Sequence, residues 1–96
     1  MAIHDKIADT AGAFAILGDP TRCKVLLLLS KNATGLYVYE IAEELKMTHS
    51  AISHQLAKLE TSAVVDGVRD GQMVRYTLST NARAKELMRV FKSVYR

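Results

Sequence analysis

The sequence has 96 residues, 49% of them hydrophobic and 24% charged, which is the composition of one small globular domain. A single cysteine excludes an intrachain disulfide, and the longest apolar run, Val25 to Leu29, is too short to cross a bilayer, so we expect a cytoplasmic protein without membrane contact. The net charge of +3 is uneven, since residues 1–45 carry −2 and residues 80–96 carry +4, which favours an anionic partner for the C-terminal half.

The first part of the sequence predicts two helices joined by a capped turn. Ile3, Ile7 and Phe14 lie at helical spacing, which predicts a helix over residues 3–17. Asp19–Pro20 then supplies an N-cap followed by a proline suited to the first helical position, so a second helix begins there. This second helix is apolar nearly all round, and we therefore expect it at the centre of the domain.

Two short amphipathic helices are predicted over residues 38–61. Val38, Ile41 and Leu45 define the first of them, and Thr48 is a candidate N-cap for the next. Two such helices joined by a few residues have the spacing of a helix-turn-helix.

Residues 64–79 change to the pattern of β-strands. Asp70-Gly71 separates two runs rich in Val, Tyr and Thr, and this dipeptide supplies the positive φ angles of a tight hairpin turn. Arg69 and Arg75 flank the turn, so the hairpin is basic. A helix-turn-helix followed by a basic hairpin, here called the wing, predicts a winged helix-turn-helix, a fold that is mainly α with a small β-hairpin.

The second helix of the helix-turn-helix, here called the recognition helix, has two different sides. Ile52, Leu56 and Leu59 form a buried stripe, and Gln55 lies close to it. The opposite face holds small hydroxyls, an imidazole and a lysine, and no carboxylate precedes Glu60. Such a face suits close approach to base edges and phosphates, so it favours a DNA-binding surface over an ordinary solvated one. Its polar members are Ser50, Ser53, His54 and Lys58.

Helical geometry argues against a metal or catalytic role for the histidines. His49 and His54 are five residues apart, which turns an α-helix by about 500° and points the two rings roughly 140° apart. Neither has a carboxylate placed to orient it, so we expect no cofactor, no metal site and no enzymatic activity. His4, Asp5 and Asp9 leave open a carboxylate–imidazole site completed by a partner subunit, the alternative being solvated residues at a helix end.

Three stretches together resemble the ArsR-type (arsenic-repressor-like) family of transcriptional regulators. They read "LGDPTRCKVLLLL", "YEIAEELKMTHSAISHQLAKLE" and "VVDGVRDGQMVRYTLS", and the resemblance extends over roughly residues 13–79. It implies a homodimer whose recognition helices enter successive major grooves of an inverted repeat in double-stranded DNA, and an effector that releases the repressor. By position, it implies DNA contacts from His49, Ser50, Ser53, His54, Gln55, Lys58, Arg69 and Arg75.

The resemblance also implies dimerisation through the first and last helices, residues 3–17 and 80–96. The apolar stripe of the last segment is longer than the core of a small domain needs, which favours the same interpretation, while packing within the subunit is the alternative. The predicted interface residues are Ile3, Ile7, Phe14, Leu87, Met88, Phe91, Val94 and Tyr95.

The sequence departs from the family at the positions that commonly bind effectors. Metal-sensing members often carry a Cys-x-Cys pair where this chain has Tyr37 and Tyr39, and others use ligands along the last helix, which here has no His or Asp. We therefore expect no metal at these positions, and the effector stays unknown. Cys23 is interpreted as a buried, inert thiol, with a one-cysteine redox switch as the alternative. Ala63 stands where glycine is common and is strained if that position needs positive φ.

The predicted function is that of a sequence-specific DNA-binding transcriptional regulator, a repressor acting as a homodimer. The alternative is a winged-helix module for protein interaction or dimerisation that does not bind specific DNA. The serine-rich outer face of the recognition helix and the two wing arginines favour the first interpretation.

Overall fold

The computed structural model describes residues 3–95, without the side chains of residues 4 and 5. The hypothetical site at His4, Asp5 and Asp9 therefore lies partly outside the described residues. Within them the chain forms five helices and three strands, and no helix is long and apolar enough to cross a membrane. In chain order these are α1 (Ile3–Leu17), α2 (Pro20–Ser30), β1 (Leu36–Tyr37), α3 (Val38–Leu45), α4 (His49–Thr61), β2 (Val65–Asp70), β3 (Met73–Leu78) and α5 (Ala82–Val94).

The helices begin at the predicted caps. The Asp19 carboxylate accepts a hydrogen bond from the Thr21 amide at 3.3 Å, directly before Pro20. The Thr48 hydroxyl accepts one from the Ala51 amide at 3.0 Å, so α4 begins at its predicted residue. Both caps satisfy amides that a helix leaves without a partner in its first turn, which confirms the start of α2 and of α4.

The core lies around α2, as its apolar sequence predicts. Val25, Leu26 and Leu29 are at most 1% exposed and pack with the buried faces of α3 and α4. The last helix contributes to the same core, because Leu87 and Met88 are buried within their own chain. Both were predicted as dimer-interface residues, and within the chain they lie on the inner side of α5.

The sheet is antiparallel, with β3 between β1 and β2. The sequence gives no sign of β1, because two residues are too few to show a periodicity and their partners, Arg75 and Tyr76, are far along the chain. The hairpin turn also differs from the prediction. Asp70 pairs with Met73 as the last residue of β2, and only Gly71 in the loop has positive φ, +65°. A first loop residue with positive φ is the pattern of a type II′ turn.

The junction between α4 and the wing carries a strained residue. Ala63 has φ of +62°, so the position does require the left-handed region, as its place in the family pattern suggests. Hydrogen bonds on both sides hold it there. Its amide donates to the Glu60 carbonyl at 2.9 Å, and its carbonyl accepts from the Asn81 side chain at 2.8 Å.

Candidate nucleic-acid interface

The recognition helix α4 has a buried and an exposed side, divided as its sequence predicts. Ile52, Leu56 and Leu59 are at most 1% exposed and attach the helix to the core. The residues on the other side are all exposed, and the first carboxylate on the helix is that of Glu60 near its end. These exposed residues are His49, Ser50, Ser53, His54, Ala57 and Lys58.

Gln55 lies at the border between the two sides. It is half-buried, and its Oε1 atom is buried without a hydrogen-bond partner among the described residues. The Gln55 amide therefore lies close to the outer face, but its half-buried side chain has fewer directions in which to form hydrogen bonds. The hydroxyls of Ser50 and Ser53 are exposed and can rotate.

The turn before α4 fixes how the helix projects. Lys46 ends α3 in the left-handed region at φ of +55°, and the Met47 amide donates to the Ala42 carbonyl at 2.9 Å. This compact turn leads directly to the Thr48 cap. The first turn of α4 therefore leaves the body of the molecule with His49 and Ser50 exposed.

His49 and His54 are both exposed and do not form part of a metal centre in the described structure. Residues 3–95, leaving aside the side chains of residues 4 and 5, contain no group of three His, Cys, Asp or Glu side chains that could hold an ion. The chemistry available on α4 is hydrogen bonding from hydroxyl, imidazole and ammonium groups.

The two wing arginines lie on opposite faces of the hairpin. Arg69 pairs with Val74 and Arg75 pairs with Val68, and adjacent residues on a strand point to opposite sides. Arg69 is exposed, on the same side as Gly67, where an added Cβ would lie 3.2 Å from a Glu60 oxygen of α4. The structure thus places Arg69 on the side of the sheet that faces α4.

Arg75 lies on the outer face of the sheet and is half-buried. Its neighbours in register there are Val68 of β2 and Tyr37 of β1. Its Nε atom is buried without a hydrogen-bond partner among the described residues, which also give its side chain no ion pair. The two arginines therefore do not form one contiguous basic patch.

A link between Tyr37 and the wing is absent from the sequence-based prediction. The Tyr37 hydroxyl donates a hydrogen bond to the carboxylate of Asp70, the last paired residue of β2. This hydrogen bond is the largest cause that raises the pKa of Tyr37 above its ordinary value. The Tyr37 ring also stacks on that of Tyr39, with centroids 5.9 Å apart. The sequence shows two tyrosines separated by one residue, but it does not show a hydrogen-bond partner 33 residues away.

A second exposed surface is apolar and lies on α1 and at the end of α5. Ile3, Ile7 and Phe14 are 60–69% exposed, and Val94 and Tyr95 are 77% and 51% exposed. Phe91, which was predicted in the same set, is half-buried, packs against the core and stacks on Tyr95 at 5.5 Å. A cavity of about 440 Å³ opens between α1 and α5, beside Phe14.

Cys23 is half-buried at the start of α2. Its Sγ atom donates to the Leu17 carbonyl at 3.2 Å. Burial, and next the negative charge of Asp19, raise the pKa of the thiol. Because the thiolate is the reactive form, this environment makes Cys23 less reactive than a free cysteine.

Comparison with known proteins identifies the family. Residues 19–66, half of the chain, match the model of the bacterial regulatory proteins of the arsR family. An uncharacterised HTH-type transcriptional regulator of Methanocaldococcus jannaschii is 33% identical over 86 residues, which are 90% of this chain and 94% of the relative. A transcriptional repressor SmtB homolog of Synechocystis is 34% identical over 80% of this chain, but the match spans only 57% of that relative.

Comparison with solved structures finds proteins of similar fold. A homodimeric winged helix-turn-helix DNA-binding domain from Mycobacterium bovis, described as a possible ArsR-family regulator, superposes with a TM-score of 0.75 at 22% identity, covering 95% of this chain and 79% of that one. At this identity the likeness concerns the fold, which is a winged helix-turn-helix. The sequence matches and the fold agree: the chain belongs to the arsR family of bacterial regulatory proteins and is a winged helix-turn-helix transcriptional regulator.

Proposed function

We propose that this protein is a repressor that binds an inverted-repeat operator as a homodimer. The observation that carries the proposal is the outer face of α4, which is exposed, rich in hydrogen-bond donors and free of carboxylates before Glu60. An exposed helix face without negative charge can enter a major groove and donate to base edges. A repressor is also what the Synechocystis relative is said to be.

The proposed contacts divide by chemistry. Hydroxyl, imidazole and amide groups at the start and middle of α4 contact bases and nearby phosphates: His49, Ser50, Ser53, His54 and Gln55. Lys58 contacts a phosphate, and the wing arginines Arg69 and Arg75 reach the phosphates and edge of an adjacent minor groove from opposite faces of the hairpin. The pairing of Arg75 beside Tyr37, and its half-buried state, make it the more fixed of the two.

The proposed homodimer forms through α1 and α5. Isolated apolar side chains are normal on a surface, but here five large ones lie on α1 and at the end of α5, and one of them, Phe14, lines a cavity of about 440 Å³. A second copy that covers them removes this apolar area from water. Two-fold symmetry then presents two α4 helices to half-sites about 34 Å apart, one turn of DNA.

We further propose that the protein has no catalytic activity, acts in the cytoplasm with the genome, and responds to an effector other than a metal at the positions familiar in the family. Tyr37 and Tyr39 occupy one of these positions, and phenols seldom replace thiolates as zinc or cadmium ligands. Stoichiometric zinc, cadmium or arsenite should therefore not release the bound DNA.

The test is selection of bound sequences from a random duplex library, followed by titration of the selected duplex and of a random duplex at several salt concentrations. We expect a palindromic motif and an affinity that falls steeply with salt, because each phosphate contact releases counterions. If the purified protein binds no duplex even at low salt, the proposal is wrong, and a protein-interaction module becomes the better explanation of the fold.

A further inference from the structure

The wing extends beyond the hydrophobic core, so its outer half has little to hold it. Val65 at the base of β2 is buried, whereas Val68, Arg69 and Asp70 towards the tip are exposed. A two-stranded ribbon without a packed face is marginally stable in water. Any contact between the tip and the rest of the molecule therefore has a large influence on where the wing lies.

The Tyr37–Asp70 hydrogen bond is such a contact. In residues 3–95 it is the only hydrogen bond between side chains that joins the wing to another element of the fold. Tyr37 is in β1, and Asp70 is on the far strand of the sheet beside the turn, so the tyrosine side chain spans β3 between them. The bond also keeps the Asp70 carboxylate on the sheet face.

The same tyrosine is fixed to the helix-turn-helix. Tyr37 occupies the N-cap position of α3, and its backbone amide donates to the Glu40 carboxylate at 2.9 Å. Its ring is held by stacking on Tyr39 in the first turn of α3. Tyr37 thus contacts α3 through its backbone and ring and the wing tip through its hydroxyl.

Arg75 lies where this bridge crosses the sheet. It is the direct β3 partner of Tyr37. The Asp70 hydrogen bond raises the pKa of the Tyr37 hydroxyl, and the positive charge of Arg75 opposes that effect. A shift of the wing would move this guanidinium relative to α4. The bridge and the proposed phosphate contact of the wing therefore lie side by side on the same face of the sheet.

We propose that Tyr37 is a positioning residue for DNA binding: its hydrogen bond to Asp70 fixes the wing, and with it Arg75, relative to the helix-turn-helix. This inference rests on the proposed function, because it assigns Tyr37 a role in the affinity for DNA. The class of ligand is double-stranded DNA, and Tyr37 acts on it through Arg75.

The decisive variant is Tyr37→Phe, which keeps the ring and its stacking but removes the hydroxyl. Tyr39→Phe is the matched control, since the Tyr39 hydroxyl has no hydrogen-bond partner among the described residues. We expect Tyr37→Phe to bind the selected duplex roughly fivefold more weakly, with a salt dependence reduced by about one phosphate contact. Tyr39→Phe should bind like the wild type. Thermal unfolding should be almost unchanged in both, because an exposed hydrogen bond contributes little to stability.

An Asp70→Ala background separates positioning from a general structural role. If the hydroxyl acts through Asp70, Tyr37→Phe has no further effect on DNA binding in that background. Ultraviolet titration of the tyrosines checks the bond itself. Asp70→Ala should lower the pKa of Tyr37, and the titration of Tyr37→Phe identifies which step belongs to Tyr37.

Three results would overturn the inference. The first is equal affinity and equal salt dependence for Tyr37→Phe and the wild type. The second is a loss of binding that persists undiminished in the Asp70→Ala background or accompanies a large fall in melting temperature, which would make Tyr37 a residue of the fold only. The third is the absence of any DNA binding by the wild type, which refutes the proposed function and this role together.

Discussion

Ala63 joins the recognition helix to the wing with a backbone conformation that glycine adopts more readily. Its φ of +62° is maintained by the Glu60 carbonyl on one side and the Asn81 side chain on the other. A non-glycine residue in the left-handed region costs on the order of 1–3 kcal/mol and persists only where its surroundings hold it. The hydrogen bonds around Ala63 provide that support.

We expect Ala63→Gly to stabilise the protein by roughly 1 kcal/mol, since relief of strain exceeds the entropy cost of glycine. The measurement is the free energy of unfolding in urea. Ala57→Gly is the matched control: Ala57 is inside α4, where the same substitution should destabilise by about 1 kcal/mol. Equal destabilisation by both substitutions would show that Ala63 is not strained.

The reactivity of the Cys23 thiol should depend on pH. Because burial raises the pKa of this thiol above the ordinary value, the fraction of thiolate near neutral pH is lower than for a free cysteine. Alkylation of the native protein should therefore be slower than that of the urea-unfolded chain, and its rate should rise only at a higher pH than in the unfolded chain. A faster reaction of the native protein at neutral pH would instead support a redox role.

At the scale of the element, α4 is defined by its two sides. Three apolar residues fix it to the core, and its outer face carries the donors that we propose to contact DNA. These outer residues differ in what they can recognise. Small hydroxyls such as that of Ser53 can bond to base edges, whereas the ammonium group of Lys58 acts as a charge on phosphates.

We expect Ser53→Ala to weaken binding to the selected operator by roughly tenfold and binding to a random duplex very little, since a base contact is worth about 1–3 kcal/mol. Lys58→Ala should weaken both by a similar factor and reduce the salt dependence. Titration of both duplexes with each variant makes the comparison. Equal losses on the two duplexes for Ser53→Ala would exclude a base-contacting role.

At the scale of the whole molecule, α1 and the end of α5 carry the five most exposed large apolar side chains among the described residues. Phe14 is 60% exposed beside the cavity between the two helices. The proposed dimer covers this surface and at the same time fixes the separation of the two α4 helices. In this proposal, binding to an inverted repeat therefore depends on dimerisation.

Phe14→Asp should convert the protein to a monomer with little loss of fold, because the side chain is outside the core and a carboxylate in an apolar interface is costly. Light scattering after gel filtration measures the mass. Val68→Asp is the control, an equally drastic change of an exposed side chain on the wing, and should stay dimeric. A dimeric Phe14→Asp variant would exclude this face of α1 from the interface.

The sequence by itself determined the elements and their order wherever the signals are local. Asp19 and Thr48 start helices through hydrogen bonds to amides two or three residues away, and Ile52, Leu56 and Leu59 define a face by helical periodicity. Such signals depend only on neighbouring residues, so they predicted α2, α4 and the exposed side of the recognition helix.

Only the tertiary structure decided which residues distant in the chain lie together. Leu87 and Met88 share a stripe with Phe91, but the packing of α5 on the core buries these two. Strand register separates Arg69 from Arg75, and the Tyr37–Asp70 bond joins positions 33 residues apart. Periodicity identifies an apolar or polar face of an element, whereas the partner of that face depends on how the elements pack.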